Sequence, residues 1–267
     1  MKSIERKNLI YKTGVEYGDY CINHVQGCVH NCQYPCYARC IRRMGQDQWR
    51  NPAIVSNAME LAKRELPRLA GKVKNIHMCF TTDPFMVGYP EVADLTLRLI
   101  SLINDKGIPV TTLTKGVYPA RALRHAFPEN SYGITIVSLH EEFRKRMEPG
   151  AAPIADRLEA LKRLHHMGKR TWVSIEPYPT PNIIDQDLRT VLEKVSFVDR
   201  IIFGRLNYSA LTRAYPLEAR FYADAAGRVV RFCKSRRIQC HIKSGTVRGN
   251  LQGGSGGAGG RRVRAAL

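Results

Sequence analysis

The stretch Cys28-Val29-His30-Asn31-Cys32-Gln33-Tyr34-Pro35-Cys36-Tyr37-Ala38-Arg39 follows an apolar run, Tyr20 to Val25, and leads into helix-like sequence. Three thiols on one short loop are donors for zinc or for an iron–sulfur centre. A structural zinc takes four ligands, whereas a catalytic cluster held by three thiolates keeps one metal corner open for chemistry. Cys40 continues the spacing, so Cys32, Cys36 and Cys40 form an alternative triplet, and the four cysteines together an alternative zinc quartet in a non-catalytic nucleic-acid binder. Thiols three to four apart on a helix lie along a stripe rather than around a point, which fits a tetrahedral site poorly.

Outward from this loop, short apolar runs recur at Asn75 to Phe80, Pro109 to Thr114, Gly133 to Ser138, Thr171 to Ile175 and Arg200 to Phe203. Between most of them lie segments with apolar residues at three-to-four spacing: Val55 to Leu69, Val92 to Lys106, Ile154 to Met167 and Asp187 to Val195. Strand and helix alternate, which predicts an α/β fold whose sheet is mostly parallel with right-handed crossovers. Six such units suit either a doubly wound sheet or a partial (β/α)6 TIM-like barrel, and in both the working site lies at the C-terminal ends of the strands. Asp83, Lys115, Ser138 and Glu176 are placed there, on the same rim as the cysteine loop. Leu217 to Arg237 reads as a basic helix and Gln239 to Ile242 as a last strand. The expected organisation is an N-terminal extension over 1–18, a partial barrel over 19–210, a C-terminal extension packing on it over 211–250, and a disordered glycine-rich basic tail over 251–267.

A formal charge of +19 attracts polyanions, nucleic acid among them, without naming the partner. No charged and apolar leader opens the chain, and no run approaches the roughly 18 apolar residues of a membrane span, so no membrane association and a cytoplasmic location are expected. In a reducing compartment the clustered cysteines read as metal ligands or free thiols rather than disulfides. Cys21, Cys79, Cys233 and Cys240 read by default as small buried hydrophobes.

The cysteine loop after the first strand of an incomplete barrel resembles the radical S-adenosylmethionine superfamily, and within it the spore photoproduct lyase-like group. The resemblance is carried by Cys36-Tyr37-Ala38-Arg39, Thr81-Thr82-Asp83-Pro84, Leu113-Thr114-Lys115 and the run from Ser138 through Glu148-Pro149-Gly150. The chain departs from the family at one point: the usual spacing is three residues and then two between ligands, and Pro35 makes it three and three. The resemblance implies a [4Fe–4S] cluster held by Cys28, Cys32 and Cys36, because Tyr-Ala follows the last ligand in the family and follows Cys36 here. It implies S-adenosylmethionine on the fourth iron, cleaved by one electron to a hydrogen-abstracting 5'-deoxyadenosyl radical, and a reductant such as flavodoxin or ferredoxin.

The same resemblance places Tyr37 near the adenine, Thr82 and Asp83 at the ammonium, Lys115 at the methionine carboxylate, and Ser138, closing the fourth strand, at a ribose hydroxyl. Glu176 is a further candidate for cofactor or substrate. Cys79 lies close to the hydrogen-donating cysteine of the lyases, and Tyr34 with Tyr37 echoes their tyrosine pair. The implied substrate is a nucleic-acid lesion or base; a peptide or small metabolite is the alternative within the same chemistry. Glu148-Pro149-Gly150 reads as a turn, with Pro149 fixing φ and Gly150 relieving the backbone.

Overall fold

The structure, a computed structural model, describes residues 1–124 and 126–247, so the tail expected over 251–267 lies outside the described residues. In chain order the elements are β1 (Lys2–Ile4), β2 (Ile10–Lys12), β3 (Tyr20–Ile22), β4 (Val25–Gln26), α1 (Tyr37–Arg42), α2 (Gln46–Trp49), β5 (Ala53–Val55), α3 (Ala58–Glu65), β6 (Ile76–Met78) and α4 (Pro90–Asn104). They continue with β7 (Val110–Thr114), β8 (Ser131–Thr135), α5 (Glu141–Met147), α6 (Ile154–His166), β9 (Arg170–Tyr178), α7 (Leu188–Lys194), β10 (Arg200–Arg205), α8 (Ala210–Arg213), α9 (Glu218–Arg236) and β11 (Gln239–Ile242).

The helices form where the apolar period matches their turn. α4 starts with Pro90, whose missing N–H costs nothing in a first turn, and it buries Val92, Leu95, Leu99, Ile100 and Ile103 along one stripe. α6 does the same with Ile154, Leu158, Leu161 and Leu164. These stripes cover a sheet of order β11-β10-β9-β8-β7-β6-β3-β2, parallel throughout except that β2 runs antiparallel to β3. From β3 through β6 to β11 the spatial order follows the chain order. A doubly wound sheet reverses its order at a switch point; this one does not, so it is the partial barrel of the two expected architectures.

Four features depart from the sequence expectation. The first strand breaks after Ile22: β4 leaves the main sheet and pairs with β5, which also receives β1, in a separate three-stranded sheet. The fourth strand ends at Thr135, so Ser138 belongs to the loop beyond it. Helix α5 was not foreseen, because Phe143 is its only buried residue and one apolar position makes no period. Among the isolated cysteines, Cys240 is exposed rather than buried, since β11 is an edge strand.

Two imidazoles are sealed in this framework. The His24 ring lies 2.8 Å from Thr96 Oγ1 through Nε2 and 3.4 Å from Cys79 Sγ through Nδ1, while His77 Nδ1 lies 2.8 Å from Thr111 Oγ1. Burial lowers both, His24 to about 4 and His77 to about 3. Both folded values lie below the unfolded one, so the unfolded chain takes up protons first and stability falls as pH drops below about 6.5. Unfolding by urea at pH 5 is expected to need less denaturant than at pH 7, each ring contributing about 2 kcal/mol to the difference. His77→Phe should flatten that slope; an unaltered slope would contradict the assignment.

Candidate cluster site

The cysteine loop begins where β4 ends. Gly27 turns the chain at φ +91, the Cys28 N–H donates to Trp49 O at 2.8 Å, and Cys36 stands at the N-cap of α1. The segment after β8 holds the loop as well: Gln33 N–H donates to Met147 O at 2.8 Å and Gly150 N–H to His30 O at 3.1 Å. A Cβ at Gly150 would stand 2.2 Å from the Val29 carbonyl oxygen, so only glycine lets the Glu148-Pro149-Gly150 segment lie flat on the loop. Gly150→Ala is therefore expected to push the loop outward at a cost of about 1–3 kcal/mol. The measurable result is a lower iron content after anaerobic reconstitution at unchanged secondary structure.

The loop and the strand ends enclose a cavity of about 910 Å³. It brings together Cys28, Cys32, Cys36, Tyr34, Tyr37, Cys79, Thr82, Asp83, Lys115 and Glu176. Ser138 is not among its lining residues: it is buried in the loop past β8, where its Oγ accepts the His140 N–H at 3.1 Å. Cys40 also reaches the rim, exposed on α1.

Two buried carboxylates organise the walls. Asp83 Oδ1 accepts from Thr114 Oγ1 at 2.6 Å and Phe85 N–H at 2.8 Å, while Oδ2 accepts from Lys115 N–H at 2.8 Å and pairs with His30 Nδ1 at 3.3 Å. Burial by itself would raise the Asp83 carboxyl, but His30 and the bonds from Thr114 and Lys115 outweigh it and hold it below its ordinary value. The second carboxylate, Glu148, is 2 % exposed and accepts from Tyr34 OH at 2.5 Å and from Arg157 Nη2 at 3.0 Å. Lys115 Nζ lies 3.7 Å from the same carboxylate and 5.6 Å from the centre of the Tyr34 ring. Against burial, the two cations and the two hydrogen bonds keep Glu148 ionised.

The remaining polar groups are nearer the mouth. Thr82 Oγ1 donates to Gly27 O at 2.6 Å, Tyr37 OH to Phe80 O, and Lys243 Nζ to Glu176 Oε1 at 2.8 Å. Gly204 makes room for Glu176, because a Cβ there would meet its Cγ and Cδ at 2.8 Å. Burial pushes the Cys28 and Cys79 thiols well up and Cys32 up to about 11, so metal loading must displace protons.

Sequence reasoning did not find Glu148, Arg157, His30 or Lys243. Glu148 carries part of the family resemblance and reads locally as a turn residue, and nothing local reveals that Arg157, nine residues on, meets it in the interior. His30 was visible between Cys28 and Cys32, but its partner lies on another strand end.

Among the described residues no group of three or more His, Cys, Asp or Glu side chains is arranged to hold a single metal ion. Three thiols spread around one cavity suit a cubane, whose thiolates bind different irons.

A profile of the Radical SAM superfamily matches residues 22–195. The chain belongs to that superfamily and is a radical S-adenosylmethionine enzyme, its cofactors a [4Fe–4S] cluster and S-adenosylmethionine. It is 25% identical over 195 residues to an uncharacterized protein of Acidianus two-tailed virus, a match covering 68% of this chain and 64% of the viral protein. It is 29% identical over 212 residues to an uncharacterized protein of Methanocaldococcus jannaschii, covering 78% of each. Among solved structures, spore photoproduct lyase complexed with dinucleoside spore photoproduct has the same fold: TM-score 0.66 at 14% identity, covering 90% of this chain and 80% of that one. No helix among the described residues is long and apolar enough to cross a membrane.

Proposed function

We propose that the protein abstracts a hydrogen atom from a base, or a base lesion, of a nucleic-acid strand whose nucleotide enters the thiol-lined cavity. The observation that carries this reading is that three cysteines open onto one cavity whose mouth combines exposed aromatic and aliphatic groups, Tyr37, Ile41 and Tyr208, with a strongly cationic chain. Nucleobases stack on the former and phosphates pair with the latter. The lyase structure of the same fold holds a dinucleoside photoproduct, which supports the same substrate class here.

When bound, the cluster and S-adenosylmethionine supply one-electron sulfonium cleavage and the power to abstract hydrogen. Cys28, Cys32 and Cys36 would hold the cluster, and the Tyr34–Glu148–Arg157 network behind them fixes the loop. Lys115 would face the methionine carboxylate and Tyr37 the adenine. Asp83 has its four acceptor positions filled by protein donors, so it orients His30 and the Lys115 backbone and acts on an incoming ammonium through its charge. Thr82 shapes the same wall through Gly27. Glu176, presented by Lys243, is the carboxylate free to meet a hydroxyl or an exocyclic amine. Cys79 is buried on the cavity with its thiol kept protonated, which suits it to return a hydrogen atom to the substrate.

The test is isotopic. Protein reconstituted without oxygen and reduced with dithionite is expected to form 5'-deoxyadenosine, and to carry deuterium into it from DNA or RNA labelled on its bases. If 5'-deoxyadenosine forms and no nucleic acid delivers label, the substrate is a peptide or small metabolite instead.

A further inference from the structure

A second, smaller cavity of about 230 Å³ adjoins the first, and the two share Arg205, Leu206, Asn207 and Tyr208 as a common wall. Ser209 and Arg213 complete it. Arg205 closes β10 and is 7 % exposed; its Nη2 donates to Glu218, yet its Nε is buried and has no hydrogen-bond partner among the described residues. A buried guanidinium donor left unmatched is costly, and the same side chain lines the small cavity. Arg213, exposed at the end of α8, makes no ion pair among the described residues. Between the cavities Tyr208 is held at φ 62 with 70 % of its surface open, and no aromatic ring among the described residues stacks on it.

These observations are complementary to one kind of ligand. A strand that sends one base into an enzyme's interior leaves the neighbouring base with a bare face and turns the linking phosphate toward the protein. We propose that this ledge anchors such a strand: the small cavity seats a backbone phosphate against Arg213 and the unpaired Arg205 N–H, and Tyr208 stacks on the base next to the one that enters. The inference rests on the nucleic-acid reading above and adds to it the subsite that selects phosphodiester-linked nucleotides over free small molecules.

Binding of the reconstituted full-length protein to short single-stranded DNA and RNA, read by fluorescence anisotropy across a salt series, tests it. Arg213→Gln should reduce the slope of log affinity against log salt by about 0.7, the share of one phosphate contact on a single strand. Tyr208→Ala should weaken binding about tenfold and Tyr208→Phe should restore it, since the ring and not the hydroxyl stacks. The tighter of the DNA and RNA arms names the sugar. Wild-type binding with both variants unchanged overturns the subsite alone, whereas absence of wild-type binding in both arms overturns the nucleic-acid reading beneath it.

Discussion

Glu148→Ala should lower stability by about 3–5 kcal/mol, the cost of breaking a buried ion pair by deleting one partner. At the size of this chain that corresponds to a drop in Tm of very roughly 6–20 °C. Arg157 is 1 % exposed and its other partner is a backbone carbonyl, Thr135 O at 2.8 Å, so its charge loses its one counter-ion among the described residues. Lys115 loses the same carboxylate, and the Tyr34 hydroxyl loses its acceptor. The protein without its cluster, unfolded by urea or heat, gives the measurement. Glu148→Leu combined with Arg157→Met should recover much of the loss, because a well-packed apolar pair replaces two desolvated charges. A single-variant cost under about 1 kcal/mol would show that this network is not a buried ion pair in solution. Glu148 is held below its ordinary value, so its contribution is present above about pH 4.5 and disappears as pH falls through the depressed value.

Single replacement of Cys28, Cys32 or Cys36 by Ala should reduce iron from about four per chain to background and abolish 5'-deoxyadenosine formation. Cys40→Ala should leave both unchanged. Cys40 sits one turn into α1, its N–H bonded to Cys36 O at 3.1 Å, and its side chain is exposed. Cys28 lines the same cavity, where burial first, and then the negative charges of Asp83, Cys32 and Cys36, push its thiol well up. If the Cys32, Cys36 and Cys40 register were the true one, iron would survive in Cys28→Ala and be lost in Cys40→Ala. The inserted Pro35 makes this comparison informative, since it adds a residue between the second and third thiols without removing the third from the cavity.

The order of strands and helices was legible because each amphipathic stripe is a local property. The spacing that buries Leu158, Leu161 and Leu164 in α6 is written in a dozen consecutive residues. The small sheet was not legible, because Ala53–Val55 is three residues long and its pairing with Lys2–Ile4 is contributed from about fifty residues away. Ser138 was placed at a strand end on apolar content that runs on through Ile136 and Val137, both buried in the loop after β8. The Ile136 N–H still donates to Ser174 O at 3.0 Å, and beyond it burial marks packing and not pairing.

The order of residues along the chain sets the inventory of chemistry: thiols grouped on one loop, an alternating α/β chain, and a large positive charge. Tertiary structure decided how that inventory is wired. It filled all four acceptor positions of Asp83, made Glu148 the shared partner of Tyr34, Lys115 and Arg157, and left one Arg205 donor unpaired beside an open Tyr208. The physical reason is range. A helix period or a thiol spacing is set by neighbours in the chain, whereas the desolvation and pairing of a charge depend on groups that only the closed fold brings within about 4 Å.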